Sequence, residues 1–232
     1  MYKLNIDDQL INTIIVAVAP DVVEVTHWDL KLPLLRSRVI QKDQAYEEIM
    51  GGRIRGAGIV TAGSASLSLQ ERLTKHLVEE SSLAAYEPSR GEIIVVNQNL
   101  DDSNIDGLKL VVAHELVHRA QHVRYPGLFT RLDEIIRNCW YASMTYQNPS
   151  KKELREVEHA MTIIESHASF VQQFLAAIRF PLARIEKPLS SQAVLLRSLG
   201  VGKSLQYILG LPDVAEAVNT GTLDEVFDRL IS

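Results

Sequence analysis

The chain has 232 residues, 46% of them hydrophobic and 23% charged, which is typical of a soluble domain with a substantial core. The formal net charge of −5 and the absence of a long run of lysines and arginines argue against a nucleic-acid partner. The single cysteine, Cys139, cannot form an intramolecular disulfide and lies in an apolar run, so we expect a buried inert thiol and a reducing compartment. We therefore expect one cytoplasmic domain over residues 1–232.

Residues 1–100 are expected to form a part of the domain that contains a small sheet. The apolar residues 11–19 and 22–25, separated by Pro20, are interpreted as strands or short mixed elements, as is the pair Val39-Ile40. The first of these runs is too short to cross a membrane, so no membrane segment is expected.

A helix and a β-hairpin are predicted next along the chain. The helix covers residues 66–80, where a serine can cap its first turn. Residues 83–86 and 92–97 are predicted strands, and the turn residues 87–91 between them predict a hairpin.

Residues 101–232 are expected to be helical. Polar residues 101–104 can cap a helix over residues 105–122, which Pro126 and Gly127 would end, and a second helix follows over residues 130–146. A third helix, from about Lys152 to Pro181, has the clearest periodic pattern, with apolar residues at alternating steps of three and four. The expected fold class is α+β, mostly helical with a small mixed or antiparallel sheet.

The sequence His114-Glu-Leu-Val-His118 lies well inside the first of these helices. Residues four apart lie one turn apart on one helix face, so His114 and His118 can point at a common atom. The pattern H-E-x-x-H is typical of zinc peptidases, in which the two histidines bind the metal and the glutamate, here Glu115, acts as a general base. The alternative, two surface histidines on an amphipathic helix, is disfavoured because apolar neighbours make this helix apolar over much of its circumference.

A catalytic zinc site needs a third protein ligand and a position for water. His122 is excluded because it lies two turns, roughly 12 Å, from His114 on the same helix. Gln121 stands where the signature H-E-x-x-H-x-x-G-x-x-H requires a glycine, which excludes that subclass as well.

The long third helix offers Glu158, His159, Glu165 and His167 as candidates for the third ligand. At 100° per residue Glu165 falls at the edge of the apolar stripe, whereas His159 faces solvent and His167 lies on the opposite flank. Glu165 is therefore the predicted third ligand, the alternative being a glutamate paired with an arginine at the rim of the core. Ser169, four residues later, is a candidate acceptor for the N–H on the non-coordinating ring nitrogen of a ligand histidine.

Three further motifs carry a family resemblance over about residues 92–227. The sequence has Gln121-His122 before Pro126-Gly127-Leu128, then Glu165-Ser166-His167-Ala168, and finally Lys203-Ser204-Leu205-Gln206-Tyr207. Their order and spacing resemble a bacterial family of zincin-like metallopeptidases that is associated with deazaflavin-cofactor biosynthesis. Its corresponding motifs are Gln-Phe with Pro-Trp-Leu, Glu-Gly-His-Ala and Lys-x-x-Gln-Tyr.

The resemblance implies a mostly helical zincin fold with a small sheet packed against the helix that carries the two histidines. It also implies that Glu165 is a ligand. In such folds an antiparallel edge strand runs above the metal, and residues 93–97 are the candidate for binding an extended peptide by strand addition, with an ordinary sheet strand as the alternative.

The predicted function is hydrolysis of a peptide or amide bond by a zinc metallopeptidase of the gluzincin type, with one zinc ion and a peptide or protein substrate. Glu115 would take a proton from the attacking water and pass it to the leaving amine. Tyr207, from its place in the Gln-Tyr motif, and His167 are the candidates for stabilising the oxyanion, although a tyrosine packed in the core is the alternative. A non-catalytic module that binds a peptide or protein, with zinc as a structural ion and His167 as a fourth ligand, is the alternative function.

Overall fold

The structure is a computed structural model that describes residues 4–50, 69–144, 150–183 and 211–231. Its helices and strands follow the chain as α1 (Asp8–Thr26), β1 (Arg36–Ile40), α2 (Leu69–Ser81), β2 (Ala84–Glu87), β3 (Glu92–Val96), α3 (Ile105–Arg124), α4 (Pro126–Met144), α5 (Lys151–Ile178), α6 (Leu211–Thr220) and α7 (Leu223–Ile231). This part of the chain is mostly helical with a small mixed sheet, so the predicted α+β class is confirmed.

In the described part of the chain the sheet has three strands, in the order β1, β3, β2. The predicted hairpin is confirmed, because β2 pairs with β3 in antiparallel register, with Ala84 opposite Val95. β1 pairs with the other side of β3 in parallel, with Arg36 opposite Glu92. The expectation that residues 93–97 form an edge strand is therefore wrong: β3 is the central strand, and β2 forms the edge beside α3. Four consecutive buried residues, 93–96, fit a central strand covered on both faces.

The interpretation of residues 11–19 and 22–25 as strands is wrong, because both runs lie in the single helix α1. The buried residues of α1 follow a helical spacing of three and four: Ile11, Ile14, Ile15, Val18, Ala19, Val22 and Thr26. Pro20 removes the N–H that would bond to the carbonyl of Val16, a residue that is 71% exposed, so water can reach that carbonyl. By length and composition α1 would also suit a membrane span, but its apolar stripe packs in the protein core against α3.

Helices α3 and α5 pack against each other, and each contributes many buried residues. Asn104 caps α3 by accepting a hydrogen bond from the backbone of Gly107, as the polar residues before this helix predicted. The second predicted helix is present as α4, but it begins at Pro126 rather than at residue 130. A proline at the first helical position loses no intrahelical hydrogen bond, so Pro126 can begin the helix. The predicted long helix is confirmed as α5, which starts after the cap Ser150.

Cys139 lies on α4 and is partly rather than fully buried. Burial raises the pKa of its thiol, and the nearby Glu153 adds to this rise. A raised pKa keeps the sulfur in the less reactive thiol form, which agrees with the predicted inert cysteine.

Candidate metal centre

Three side chains from two helices meet at one point in the core. Nε2 of His114 and Nε2 of His118, both on α3, lie 3.2 Å apart. Oε2 of Glu165, on α5, lies 3.4 Å from each of these nitrogens. The three side chains are buried, and this group could hold a metal ion. The convergence of the predicted ligands His114, His118 and Glu165 is thus present in the structure.

The size of this triangle of atoms matches the coordination shell of a small divalent ion. Ligand bonds of about 2.0–2.1 Å at tetrahedral angles place neighbouring ligand atoms about 3.3 Å apart. The observed separations of 3.2 Å and 3.4 Å bracket that value. Two imidazole nitrogens and one carboxylate oxygen are also a donor set that divalent transition metals accept. The residues therefore fit a metal ion in both size and chemistry.

The helix geometry explains why two residues of α3 and one of α5 meet. His114 and His118 lie one turn apart on the face of α3 that packs against α5. Glu165 is fully buried in the middle of α5, among Ile163, Ile164 and Ala168. A carboxylate at such a position is rare unless a partner compensates its charge, and two imidazoles with an ion would do so.

The remaining candidates lie elsewhere. Nδ1 of His122 contacts the hydroxyl of Tyr86 at 2.8 Å, and His159 is exposed. Neither residue belongs to the group, as the sequence predicted. His167 is fully buried but does not belong to the group that could hold a metal ion. Tyr207 lies outside the described residues, so its predicted role stays a prediction.

Gln121 contacts both helices that supply the ligands. Its Oε1 lies 2.9 Å from Nδ1 of His118, the nitrogen that faces away from the ligand group. Its Nε2 donates to the backbone carbonyl of Ile164 at 2.8 Å and lies 3.1 Å from Nδ1 of His167. The predicted acceptor Ser169 is buried on α5, but the acceptor for His118 is Gln121.

His167 belongs to an aromatic cluster behind the ligand group. Its ring meets the rings of Trp28 and Phe227 edge to face, at centroid distances of 4.9 Å and 5.9 Å. Burial, with a smaller contribution from the nearby His118, lowers the pKa of His167 to about 3. His167 is therefore neutral at ordinary pH, and its Nδ1 accepts a hydrogen bond from Gln121. Its predicted role in stabilising the oxyanion stays a prediction.

Glu115, the predicted general base, is buried beside the edge strand β2. Its Oε2 accepts a hydrogen bond of 2.6 Å from the backbone N–H of Tyr86. Since Glu115 directly follows His114 and lies within one turn of His118, its carboxylate is placed on the flank of the ligand group that faces the sheet. The bond from Tyr86 fixes the orientation of that carboxylate.

The side chain of Tyr86 holds β2 on α3. Nη1 of Arg119, on α3, donates to the Tyr86 hydroxyl at 3.0 Å, and the hydroxyl contacts His122 one turn further along. A guanidinium can only donate, so the hydroxyl proton is left for Nδ1 of His122. Burial raises the pKa of Tyr86, partly offset by Arg119, so the phenol stays protonated. The edge strand is thus attached to the helix by both the backbone and the side chain of one residue.

Comparison of the chain with protein-family models, with curated proteins and with solved structures finds no match. The resemblance to zincin-like metallopeptidases therefore rests on the motifs alone and stays a prediction.

Proposed function

We propose that the protein is a zinc-dependent hydrolase of the gluzincin type that cleaves a peptide or amide bond. The observation that supports this most strongly is the buried triangle of His114, His118 and Glu165, whose edges suit a tetrahedral zinc ion. When bound there, zinc would supply the Lewis acidity that activates water and polarises a carbonyl.

Glu115 supports catalysis rather than a purely structural ion. A site that only stabilises the fold needs no carboxylate next to its ligands, yet Glu115 is buried here and oriented by the amide of Tyr86. With Oε2 held by that amide, Oε1 would accept the proton of the attacking water. Glu115 would then deliver this proton to the amine nitrogen as the carbon–nitrogen bond breaks.

The number of ligands also favours a hydrolase over the alternative of a non-catalytic binding module. Structural zinc sites are closed by four protein ligands, whereas catalytic sites use three. Within residues 4–50, 69–144, 150–183 and 211–231 the group contains three ligands, and His167 does not complete it as a fourth.

Hydrolysis of a diverse peptide library tests the proposal. We expect zinc-loaded wild-type protein to cleave members of the library, and Glu115→Gln to lower the rate about 10²–10⁴-fold while retaining zinc. The matched control is Glu134→Gln, which changes an exposed glutamate on α4 and should leave the rate unchanged. Fully loaded wild-type protein that cleaves no peptide, or a Glu115→Gln variant as active as wild type, would contradict the proposal.

A further inference from the structure

We infer that Gln121 is a positioning residue of the metal centre with two separate tasks. It determines which nitrogen of His118 faces the ion, and it ties the helix that carries Glu165 to the helix that carries the histidines. The inference rests on the proposed metal-dependent function, since a positioned ligand matters only where an ion binds.

The orientation of the Gln121 amide follows from its neighbours. The backbone carbonyl of Ile164, 2.8 Å away, can only accept a hydrogen bond. The amide end that faces it must therefore be the NH₂ group, because the reverse orientation would place two oxygens against each other. The side chain is completely buried, so no water can relieve such a contact.

This orientation determines the tautomer of His118. With the NH₂ group turned to Ile164, the amide oxygen of Gln121 faces Nδ1 of His118 at 2.9 Å. That oxygen can only accept, so Nδ1 must carry the proton. A neutral imidazole has one N–H, which leaves the lone pair on Nε2, the nitrogen that lies 3.4 Å from Glu165 and is needed for binding an ion.

The second task concerns the approach of the two helices. Ile164 is the residue directly before Glu165, so the bond from Gln121 anchors α5 at the ligand itself. The same NH₂ group also reaches Nδ1 of His167, at 3.1 Å, on the turn of α5 that follows Glu165. Gln121 therefore constrains α5 on both sides of the third ligand.

Gln172 provides a matched control elsewhere between the same helices. This half-buried residue on α5 donates from Nε2 to the backbone carbonyl of Leu110 on α3, at 3.3 Å. Replacing Gln172 removes a side-chain hydrogen bond between α3 and α5 without changing a residue that contacts the proposed ligands. Gln121→Met and Gln172→Met therefore separate the positioning of His118 from a general loss of helix packing.

Zinc affinity, measured by competition with a chromophoric chelator, is the first test. We expect Gln121→Met to bind zinc about 10–100-fold more weakly than wild type, the loss typical of removing a group that orients a ligand histidine. Gln172→Met should bind zinc as wild type does. Equal zinc affinity of wild type and Gln121→Met would overturn the inference.

The second test uses the metal-free wild-type protein and needs no enzymatic activity. A long-range proton–nitrogen NMR spectrum, recorded above about pH 8 where an ordinary imidazole is neutral, reports which nitrogen of each histidine carries the proton. The His118 signals are assigned by their loss in His118→Gln. We expect the Nδ1–H form for His118, and the Nε2–H form would overturn the inference.

The two tests also separate this inference from the proposed function. Wild-type protein that binds no zinc but shows the Nδ1–H form of His118 would contradict the proposed function, and it would still support the effect of Gln121 on the tautomer of His118. If wild-type protein cleaves peptides and Gln121→Met binds zinc as tightly as wild type, the function is supported and the role of Gln121 is overturned.

Discussion

Zinc should stabilise the folded protein strongly, and the stabilisation should depend on Glu165. The proposed ligands come from two different helices, α3 and α5, so the site does not exist in the unfolded chain and zinc would bind the folded state selectively. At a free zinc concentration of 100 times Kd, this linkage adds about 2.7 kcal/mol to the free energy of unfolding. For a chain of this size each kcal/mol raises Tm by about 2–4 °C, so we expect a rise of about 5–11 °C.

Thermal unfolding with excess zinc and with a chelator measures this rise. Glu165→Gln replaces the only carboxylate of the three ligands with a neutral amide, which should reduce the rise in Tm to near zero. The control Glu158→Gln changes an exposed glutamate on the same helix and should keep the full rise.

Two outcomes would refute this reasoning. A wild-type Tm that does not respond to zinc would mean that the site does not bind the ion. A zinc-dependent rise of the same size in Glu165→Gln as in wild type would mean that the ion binds without this carboxylate.

Two further predictions concern stability. A hydrogen bond from Arg38 lowers the pKa of Glu48 from its ordinary value of 4.5 to about 2, against the opposing effect of burial. Glu48 therefore stabilises the folded state at pH values above 4.5, and this stabilisation is lost as the pH falls toward 2. The free energy of unfolding in urea should therefore differ between wild type and Glu48→Gln at pH 7, and a difference that does not shrink at pH 3 would contradict this. Phe227→Ala, which removes a fully buried ring stacked on Tyr125, should lower the free energy of unfolding by about 3–5 kcal/mol in the same assay, and a loss below about 1 kcal/mol would contradict it.

The positions of His114, His118 and Glu165 on their helices were predictable because helices give side chains fixed directions. The four-residue spacing of His114 and His118 and the angular position of Glu165 on α5 both follow from 100° per residue. His159 was placed toward solvent by the same geometry, and it is exposed. The angular positions within each helix are local, whereas the meeting of His114 and His118 with Glu165 depends on how α3 packs against α5.

The contribution of Gln121 was not predictable in this way, because its side chain donates a hydrogen bond to the backbone of a different helix, α5. In the sequence this residue only excluded a glycine-containing signature. The one available signal was its position three residues after His118, which puts the two side chains on neighbouring parts of the helix surface. The bond between Tyr86 and Glu115 depends in the same way on the packing of β2 against α3.

The errors in the sheet and in α1 have a different origin. Residues 11–19 form a short apolar run next to a proline, and such a run fits a buried strand or a buried helix equally well until its spacing is followed past Pro20 to Thr26. The parallel pairing of β1 with β3 joins segments far apart in sequence, so no local pattern predicts it. The run of buried residues in β3 was the available sign of a central strand.

The convergence of His114, His118 and Glu165 on one ion is tested most directly by anomalous diffraction from crystals grown with zinc, measured on both sides of the zinc absorption edge. We expect one anomalous peak per chain at about 2.0–2.2 Å from Nε2 of His114, Nε2 of His118 and a carboxylate oxygen of Glu165. A peak bound to other side chains, or a Glu165 carboxylate turned away from both rings, would contradict the account.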